Sequence, residues 1–278
     1  MIEPAQSRAA RIGGHVFLAV AVLLVFFPLV LVAINSMKTH GQIVQNPLSL
    51  PETLNFANFA AAWVGGKFSV GVVNSILLSG TTILLTVTCA ALAAYPLARR
   101  RTLGWQLVTL YFLGAVTVPI QLFLFPLFFI FAQMGLVGNL FATAFILSAI
   151  NLPIAILLLR SFLVAIPPEL DDAAMMDGAN RWQTFWYVIL PLMRPGIITV
   201  AILVGLNAWN EFLVTSTFQQ NEAGYTMMLG YRSMNSVILT DRGVLMAGAV
   251  IVILPIIIFF LIMQRLFVEG LTSGAVKG

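Results

Sequence analysis

Charged residues are what this sequence has least of. They make up 9% of its 278 residues, while hydrophobic residues make up 60%. A typical soluble domain is about a quarter charged and about half apolar, so this composition excludes an ordinary soluble protein. It also argues against nucleic-acid binding, because the net charge of +4 comes from scattered basic residues and not from a basic patch interleaved with aromatics.

Cysteine and histidine are almost absent. The sequence has one cysteine, Cys89, and two isolated histidines, His15 and His40. A single cysteine cannot form an intramolecular disulfide. These three residues cannot build a metal cluster or a Cys/His catalytic pair, and we interpret Cys89 as a buried filler inside an apolar run. We therefore expect no metal site and no catalytic residue in this chain.

A phosphate-binding loop is missing as well. That loop requires glycine, four residues, and then Gly-Lys-Ser or Gly-Lys-Thr. The one Gly-Lys pair, Gly66-Lys67, is followed by Phe68. We expect that the chain is not an enzyme, that it holds no cofactor and that it does not hydrolyse ATP by itself.

What the sequence has is long apolar runs. A helix that crosses a bilayer needs about 20 mainly apolar residues. Continuous runs such as 250–261 contradict the strict alternation of a membrane β-barrel. The sequence predicts an all-α, polytopic membrane protein that forms a single domain over residues 1–278 and has six transmembrane helices. The predicted spans are 16–34, 72–97, 107–131, 140–159, 196–212 and 244–263.

The basic residues predict the orientation, because Lys and Arg in short loops are held on the cytoplasmic side. The first apolar run is too long for a signal peptide and lacks a clear cleavage site, so we predict a retained helix. Six spans then place both termini in the cytoplasm, and four of the fourteen basic residues lie outside: Lys38, Lys67, Arg232 and Arg242. The other ten lie inside: Arg8, Arg11, Arg99, Arg100, Arg101, Arg160, Arg181, Arg194, Arg265 and Lys277.

The inner loop 160–195 is the most polar stretch of the chain, and it begins with the pattern of a short capped helix. Pro168 suits the start of a helix, carboxylates follow in the first turn, and Gly178 can end the helix in a left-handed conformation. A stripe with small residues in its middle would let another surface approach closely; it consists of Leu170, Ala173, Ala174 and Asp177. By its residues alone, this helix either docks a partner or merely links two spans.

A second amphipathic stretch follows in the same loop, with Trp182, Phe185 and Ile189 at helical spacing until Pro191. The whole segment, Glu169-Leu170-x-Asp172-Ala173-Ala174-x-x-Asp177-Gly178-Ala179 and then Phe185 and Ile189-Leu190-Pro191, resembles the loop signature of binding-protein-dependent (ABC) importer permeases. In that family the loop helix docks into a cleft of a cytoplasmic ATPase and transmits its nucleotide-driven closure. The family usually has Glu where this chain has Asp172, which keeps the charge and shortens its reach.

The resemblance implies a type I ABC importer permease fold, and it assigns ATPase coupling to eight residues: Glu169, Leu170, Asp172, Ala173, Ala174, Asp177, Gly178 and Pro191. It extends to Ala94-Tyr95-Pro96-Leu97-Ala98-Arg99, to Pro119-x-Gln121 and Pro126-Leu127, and to Trp209-Asn210-Glu211-Phe212. The last stretch, 264–278, is similar to the tail of maltose G-like carbohydrate-uptake permeases. In some members that tail reaches the ATPase, which would involve Gly274 and Lys277.

The same resemblance implies the partners of the chain and its cellular location. These are a second homologous permease, an ATPase dimer that binds ATP and Mg, and a periplasmic or lipoprotein solute-binding protein, all at a bacterial cytoplasmic membrane. The resemblance also implies a sugar as the substrate. An importer for a non-sugar solute stays open as an alternative. A secondary transporter is a further alternative, although paired broken helices and mid-membrane ionisable residues, which are typical of that class, are not evident.

Polar residues within the spans are candidates for the translocation path, because they are costly in hydrocarbon unless they face a bundle interior or water. Asn207, Asn210 and Glu211, at i, i+3 and i+4, are predicted to share one face of the fifth span. Trp209 adds an aromatic ring, which sugar recognition often combines with amides. Interhelical hydrogen bonds and the aromatic belt explain these residues equally well. Two more candidates lie in the third and fourth spans: Gln121 and Asn151.

Overall fold

The structure is a computed structural model, and it describes residues 8–100, 103–235 and 241–275. No β-strand occurs in those ranges, which confirms the all-α prediction. The α-helices in chain order are α1 (Arg8–Asn35), α2 (His40–Gln45), α3 (Ala57–Gly65), α4 (Phe68–Ala98), α5 (Trp105–Thr117), α6 (Gln121–Gln133), α7 (Leu140–Val164), α8 (Glu169–Met176), α9 (Arg181–Gln183), α10 (Leu190–Leu192), α11 (Arg194–Asn210), α12 (Leu213–Phe218), α13 (Met227–Met234) and α14 (Arg242–Ala275). A π-helix spans Thr184–Ile189, and a 3-10 turn spans Glu222–Gly224.

The described residues contain between four and six spans. Four segments are long and apolar enough to cross a bilayer: Gly13–Asn35, Phe68–Ala98, Leu140–Val164 and Arg242–Gln264. Two further segments are pairs of helices bent at a short break. One joins α5 to α6 at 93°, and the other joins Arg181–Leu192 to α11 at 74°. The count reaches the predicted six if each bent pair forms one span.

The third span differs from its prediction as one continuous helix over 107–131. The helix stops at Thr117 and restarts at Gln121 after the 93° bend. Val118 is extended, with φ −82° and ψ 119°, because the residue before a proline is disfavoured in the helical region. Pro119 also has no N–H to donate to a helical hydrogen bond. The bend therefore follows from the Val118-Pro119 dipeptide.

The described residues within Met1–Gly66 and Tyr231–Leu254 form one compact unit, and those within Lys67–Gly230 and Pro255–Gly278 form a second. The single domain predicted over 1–278 stays a prediction. In the first unit, α3 is a helix of 9 residues. Asn58 Nδ2 donates to the carbonyl oxygens of Ser36 and Lys38, at 2.8 Å each, and so ties α3 to the segment that follows α1.

In the second unit, the core lies where α4 packs against α7 and α11. Small buried residues, including Ala90, Ala94 and Ala155, line this contact, and small side chains let membrane helices approach closely. Ser148 Oγ on α7 donates to the carbonyl of Thr82 on α4 at 3.4 Å. Cys89 lies within α4 as expected, but it is exposed; the prediction of a buried filler was wrong, because its helix face turns away from α7 and α11.

The segment between α11 and α13 is bonded to the N-terminal part of α4. Asn74 Nδ2 donates to the carbonyls of Ala223 and Tyr225 at 2.8 and 2.9 Å, so Asn74 anchors this segment. Ser75 Oγ accepts from Met227 N at 2.9 Å. A Cβ on Gly71 would lie 3.2 Å from the same nitrogen, so glycine permits this close approach of two backbones.

Candidate functional site

The predicted loop helix is present as α8, with acidic residues in its first turn, where carboxylates stabilise the positive end of the helix dipole. Gly178 has φ +87°. Its N–H donates to Met175 O at 3.1 Å, and the N–H of Ala179 donates to Ala174 O at 3.0 Å. These two bonds form a Schellman motif, which ends α8 as the sequence predicted.

The residues of α8 differ strongly in exposure. Among the described residues of α8, only Asp171 is buried. Three apolar side chains of the helix are exposed, since Leu170 is 39%, Met175 38% and Met176 87% exposed. Of the predicted coupling residues, Ala174 is half-buried, and the others are exposed: Glu169, Leu170, Asp172, Ala173, Asp177, Gly178 and Pro191.

The side chain of Asp171 is bonded to Tyr95, in the last turn of α4, and to Arg99, the residue directly after α4. The Tyr95 hydroxyl donates to Asp171 Oδ1. Arg99 Nε donates to Asp171 Oδ2 at 2.9 Å, and Arg99 Nη2 forms a salt bridge with the same oxygen at 2.7 Å. Arg99 Nη1 also donates to the carbonyls of Leu163 and Ile166 at the end of α7, at 3.2 and 2.9 Å. One guanidinium therefore connects the ends of α4 and α7 to α8.

The second loop stretch anchors the loop to the core. Asn180 and Gln183 form a capping box at its start, with reciprocal hydrogen bonds of 2.8 and 2.9 Å. Phe185 and Ile189 are buried in the cluster that includes Tyr95 and the small residues of α4 and α7. Trp182, the third residue of the predicted face, is 60% exposed. The π-helix widens the turn, so these three residues do not keep the spacing of a regular α-helix.

The connection among Tyr95, Arg99 and Asp171 was not predicted from the sequence. In the sequence, Asp171 was one of the carboxylates of a first helical turn, and Arg99 was one of the basic residues that predicted the orientation. The sequence did contain one signal for this pair, namely the opposite charges of an acidic residue in the inner loop and an arginine at the end of a span. Their pairing over 72 positions is long-range, and periodicity reports only local neighbours.

The predicted translocation residues are not all on one face. Asn207 Nδ2 donates to Asn151 Oδ1 at 3.2 Å, and Asn151 Nδ2 donates to Leu147 O at 2.8 Å. This is an interhelical hydrogen bond between α11 and α7, one of the two roles that the sequence left open. Asn210 is exposed, and its amide donates to Leu206 O within α11 at 2.9 Å.

Glu211 does not extend the face of Asn207 and Asn210, because α11 ends at Asn210 and Glu211 is extended, with ψ 129°. Its carboxylate instead accepts from Val214 N at 2.8 Å and from Thr215 N at 2.9 Å. Glu211 thus satisfies amides at the start of α12, where the helix has no internal partners for them. The prediction of a shared helical face was wrong for this residue.

The remaining predicted site residues lie in separate places. The indole Nε1 of Trp209 is buried and has no hydrogen-bond partner within the described part of the chain. Gln121 is exposed at the first position of α6, directly after the bend. Gly274 lies in the last turn of α14, and Lys277 lies outside the described residues.

Comparison with known proteins matches this chain to transporter subunits along most of its length. The family profile described as "Binding-protein-dependent transport system inner membrane component" matches residues 86–273. The probable ABC transporter permease protein YurM of Bacillus subtilis is 34% identical over 95% of this chain and 87% of its own length. The trehalose transport system permease protein SugB of Mycobacterium tuberculosis is 36% identical over 87% of this chain and 89% of its own length.

Further similarity comes from a third relative and from a solved structure. The diacetylchitobiose uptake system permease protein NgcG of Streptomyces coelicolor is 30% identical over 95% of this chain and 88% of its own length. The crystal structure of a bacterial ABC transporter involved in the import of alginate has a TM-score of 0.78 at 22% identity, covering 94% of this chain and 99% of that one. The fold is therefore that of an ABC importer permease.

The profile match includes the end of α4, all of α7 and the whole inner loop with α8. These are the elements that Tyr95, Arg99 and Asp171 connect. Together with relatives of 30% identity or more along nearly the full chain, the match shows that this chain belongs to the family of binding-protein-dependent transport system inner membrane components.

Proposed function

We propose that this chain is the permease subunit of an ATP-driven sugar importer, and that α8 is its contact with a cytoplasmic ATPase dimer. Family membership supports a membrane subunit of an importer and removes support from the secondary-transporter alternative. Relatives named for trehalose and diacetylchitobiose transport support a sugar as the substrate class. In this proposal, ATP and Mg bind to the ATPase partner, and a solute-binding protein delivers the sugar.

The exposure of α8 is the observation that carries the proposal. Asp171 alone is buried among its described residues, while the apolar side chains of Leu170, Met175 and Met176 are exposed on a helix whose first turn is acidic. Large apolar side chains that are exposed together with charged ones on one short element are typical of a protein interface. The carboxylate of Asp172 forms no hydrogen bond or ion pair with another described residue, so it is available to a cationic partner group.

The orientation and the sugar path are further parts of the proposal. The excess of basic residues on one side supports cytoplasmic termini, which would place α8 in the cytoplasm with the ATPase. A second, homologous permease would complete the path. Gln121 and Trp209 are the best-supported path residues, because Gln121 is exposed directly after the bend and the indole N–H of Trp209 has no hydrogen-bond partner among the described residues. Asn210 is exposed but donates to Leu206 O, and Asn151, Asn207 and Glu211 also bond within the chain.

Two substitutions on the exposed face of α8 are expected to weaken the bond to the ATPase. Burial of a methionine side chain contributes about 1.5–3 kcal/mol, so Met176→Glu should lower the affinity by about ten- to a hundredfold. Asp172→Lys should act in the same direction through charge reversal. The measurement is the amount of ATPase that copurifies with the tagged chain in nanodiscs, together with its ATP hydrolysis with and without the loaded binding protein.

Glu52→Lys is the matched control, because Glu52 is an exposed acidic residue in the predicted outer loop. It makes the same change of charge and is expected to leave copurification and hydrolysis unchanged. If the two α8 variants assemble and respond to the binding protein like the wild type, α8 is only a linker between spans and the proposed ATPase contact is wrong.

The substrate class has its own test. The solute-binding protein of the complex is purified with the solute that it carries, and native mass spectrometry identifies that solute. We expect the mass and fragmentation of a saccharide. A bound peptide or inorganic anion would contradict the sugar assignment while leaving the importer assignment intact.

A further inference from the structure

We propose that Tyr95, Arg99 and Asp171, which we call the clamp, are positioning residues that carry a displacement of α8 into the spans α4 and α7. The inference rests on the proposed function, because it requires an ATPase that pushes on α8. It assigns the transmission of that push to three named side chains, none of which belongs to the exposed surface of α8.

The geometry of the clamp fixes α8 in more than one direction. The carboxylate of Asp171 receives the Tyr95 hydroxyl on one oxygen and the Arg99 guanidinium on the other. The third nitrogen of the guanidinium holds two carbonyls at the end of α7, those of Leu163 and Ile166. Because a guanidinium is planar and its N–H groups point in fixed directions, it sets the relative positions of the groups that it bonds.

Burial makes these contacts strong and keeps them dry. The side chains of Arg99 and Asp171 are 6% and 1% exposed. Hydrogen bonds between ionised groups are among the strongest in proteins, and salt screens buried pairs much less than exposed ones. A buried ion pair is a weak source of net stability, because desolvation opposes the attraction. Its geometric precision is therefore the better explanation for its presence at this junction.

The clamp is also the principal attachment of α8. Asp171 alone is buried among the described residues of this helix. Phe185 and Ile189 hold the following stretch through apolar packing, which is non-directional, whereas the clamp holds α8 itself through directed hydrogen bonds. Packed side chains and hydrogen-bond networks can carry coupling between sites, and the clamp is such a network between α8 and the spans.

The test separates attachment of the ATPase from its activation. In the purified nanodisc complex, Arg99→Gln is expected to retain the ATPase and its basal hydrolysis. The stimulation of hydrolysis by the solute-binding protein, purified with the solute it carries, should fall about tenfold, within the range seen for network residues that touch no ligand. Tyr95→Phe removes one hydrogen bond and should have a smaller effect. Arg99→Lys keeps the positive charge but loses the planar guanidinium, so its loss of stimulation should lie between those of Arg99→Gln and Tyr95→Phe.

Arg181→Gln is the matched control, because Arg181 is an exposed arginine of the same loop that has no ion pair with another described residue. It should leave stimulation unchanged.

The double variant Arg99→Met with Asp171→Leu distinguishes transmission from simple stabilisation. An apolar pair often restores the stability lost on breaking a buried ion pair, so the double variant should recover its thermal unfolding midpoint but not its stimulation.

Two results would overturn the inference. One is full stimulation in Arg99→Gln, and the other is full stimulation in the double apolar variant, which would mean that the clamp serves only stability. Neither result would affect the proposed function, which is tested by the exposed variants Asp172→Lys and Met176→Glu. Conversely, normal assembly and stimulation in those two variants would overturn the proposed function, and the inference with it.

Discussion

Gly178→Pro is expected to abolish the stimulation of ATP hydrolysis by the binding protein. Gly178 has φ +87°, while proline is locked near −65° and has no N–H to donate to Met175 O. The substitution therefore breaks the Schellman motif that ends α8. With a cost of about 3 kcal/mol, the ratio of capped to uncapped loop should fall roughly a hundredfold.

The effect should be large because α8 is short. It has eight residues, and isolated helices below about 12 residues are marginal in water, so α8 depends on its cap and on Asp171. Stimulated hydrolysis by the nanodisc complex is the measurement, and far-UV circular dichroism of the purified chain checks that the spans remain helical.

Two substitutions at the same position act as graded controls. Asparagine tolerates the left-handed conformation and also occurs at this helix-end position, so Gly178→Asn should keep most of the stimulation. Gly178→Ala should cost about 1–2 kcal/mol and give an intermediate result. If Gly178→Pro folds, inserts and is stimulated like the wild type, the geometry of the α8 end does not matter for coupling.

Gly243→Ala is expected to cause the largest loss of stability in the first unit. A Cβ at this position would lie 2.3 Å from the carbonyl oxygen of Lys38 and 2.6 Å from Asn58 Nδ2. The oxygen belongs to the backbone and cannot rotate away, and it already accepts the 2.8 Å hydrogen bond from Asn58. Overpacking of this kind costs about 1–3 kcal/mol, and we expect the upper end because both clashing groups are bonded to each other.

The measurement is the thermal unfolding midpoint of the purified chain in nanodiscs, which should fall by several degrees. Gly41→Ala is the matched control in the same unit, because nothing lies within 4 Å of its Cβ position. It should be neutral or stabilising by about 0.5–1 kcal/mol, since alanine is a better helix former than glycine. Equal unfolding midpoints for Gly243→Ala and the wild type would contradict this prediction. They would mean that the backbone around Lys38 moves away from the new Cβ without a loss of stability.

Most of the helical architecture could be predicted from the sequence. The apolar runs located the six segments that became α1, α4, α5 with α6, α7, α11 and α14, because bilayer thickness sets the length of such a run. The C-terminal end of α8 was predicted for the same kind of reason, because it depends on Gly178 and its immediate neighbours. Pro168, predicted at the first helical position, lies one residue before the helix. The bend at Val118-Pro119 also has a local cause. It was not predicted, because the apolar run over 107–131 is long enough for one continuous helix.

The functional side chains were harder to predict, because a polar residue on a helix has several partners within reach. Asn207 bonds to Asn151 on another helix, and Glu211 bonds to amides of the next one. Both satisfy polar groups that would be costly in an apolar surrounding. Helical spacing placed Asn207 and Asn210 correctly on α11, but it could not show that the helix ends before Glu211.

The sequence by itself determined the class of this protein, its apolar segments and the capped loop helix, because hydrophobic length, proline and glycine act over a few neighbouring residues. Only the tertiary structure decided which of two adjacent aspartates, Asp171 or Asp172, turns inward. The side chain of Asp171 meets Tyr95 and Arg99 at the end of α4, while Asp172 remains exposed. That choice depends on how α4, α7 and the inner loop pack together, and packing between distant segments leaves no periodic trace in one sequence.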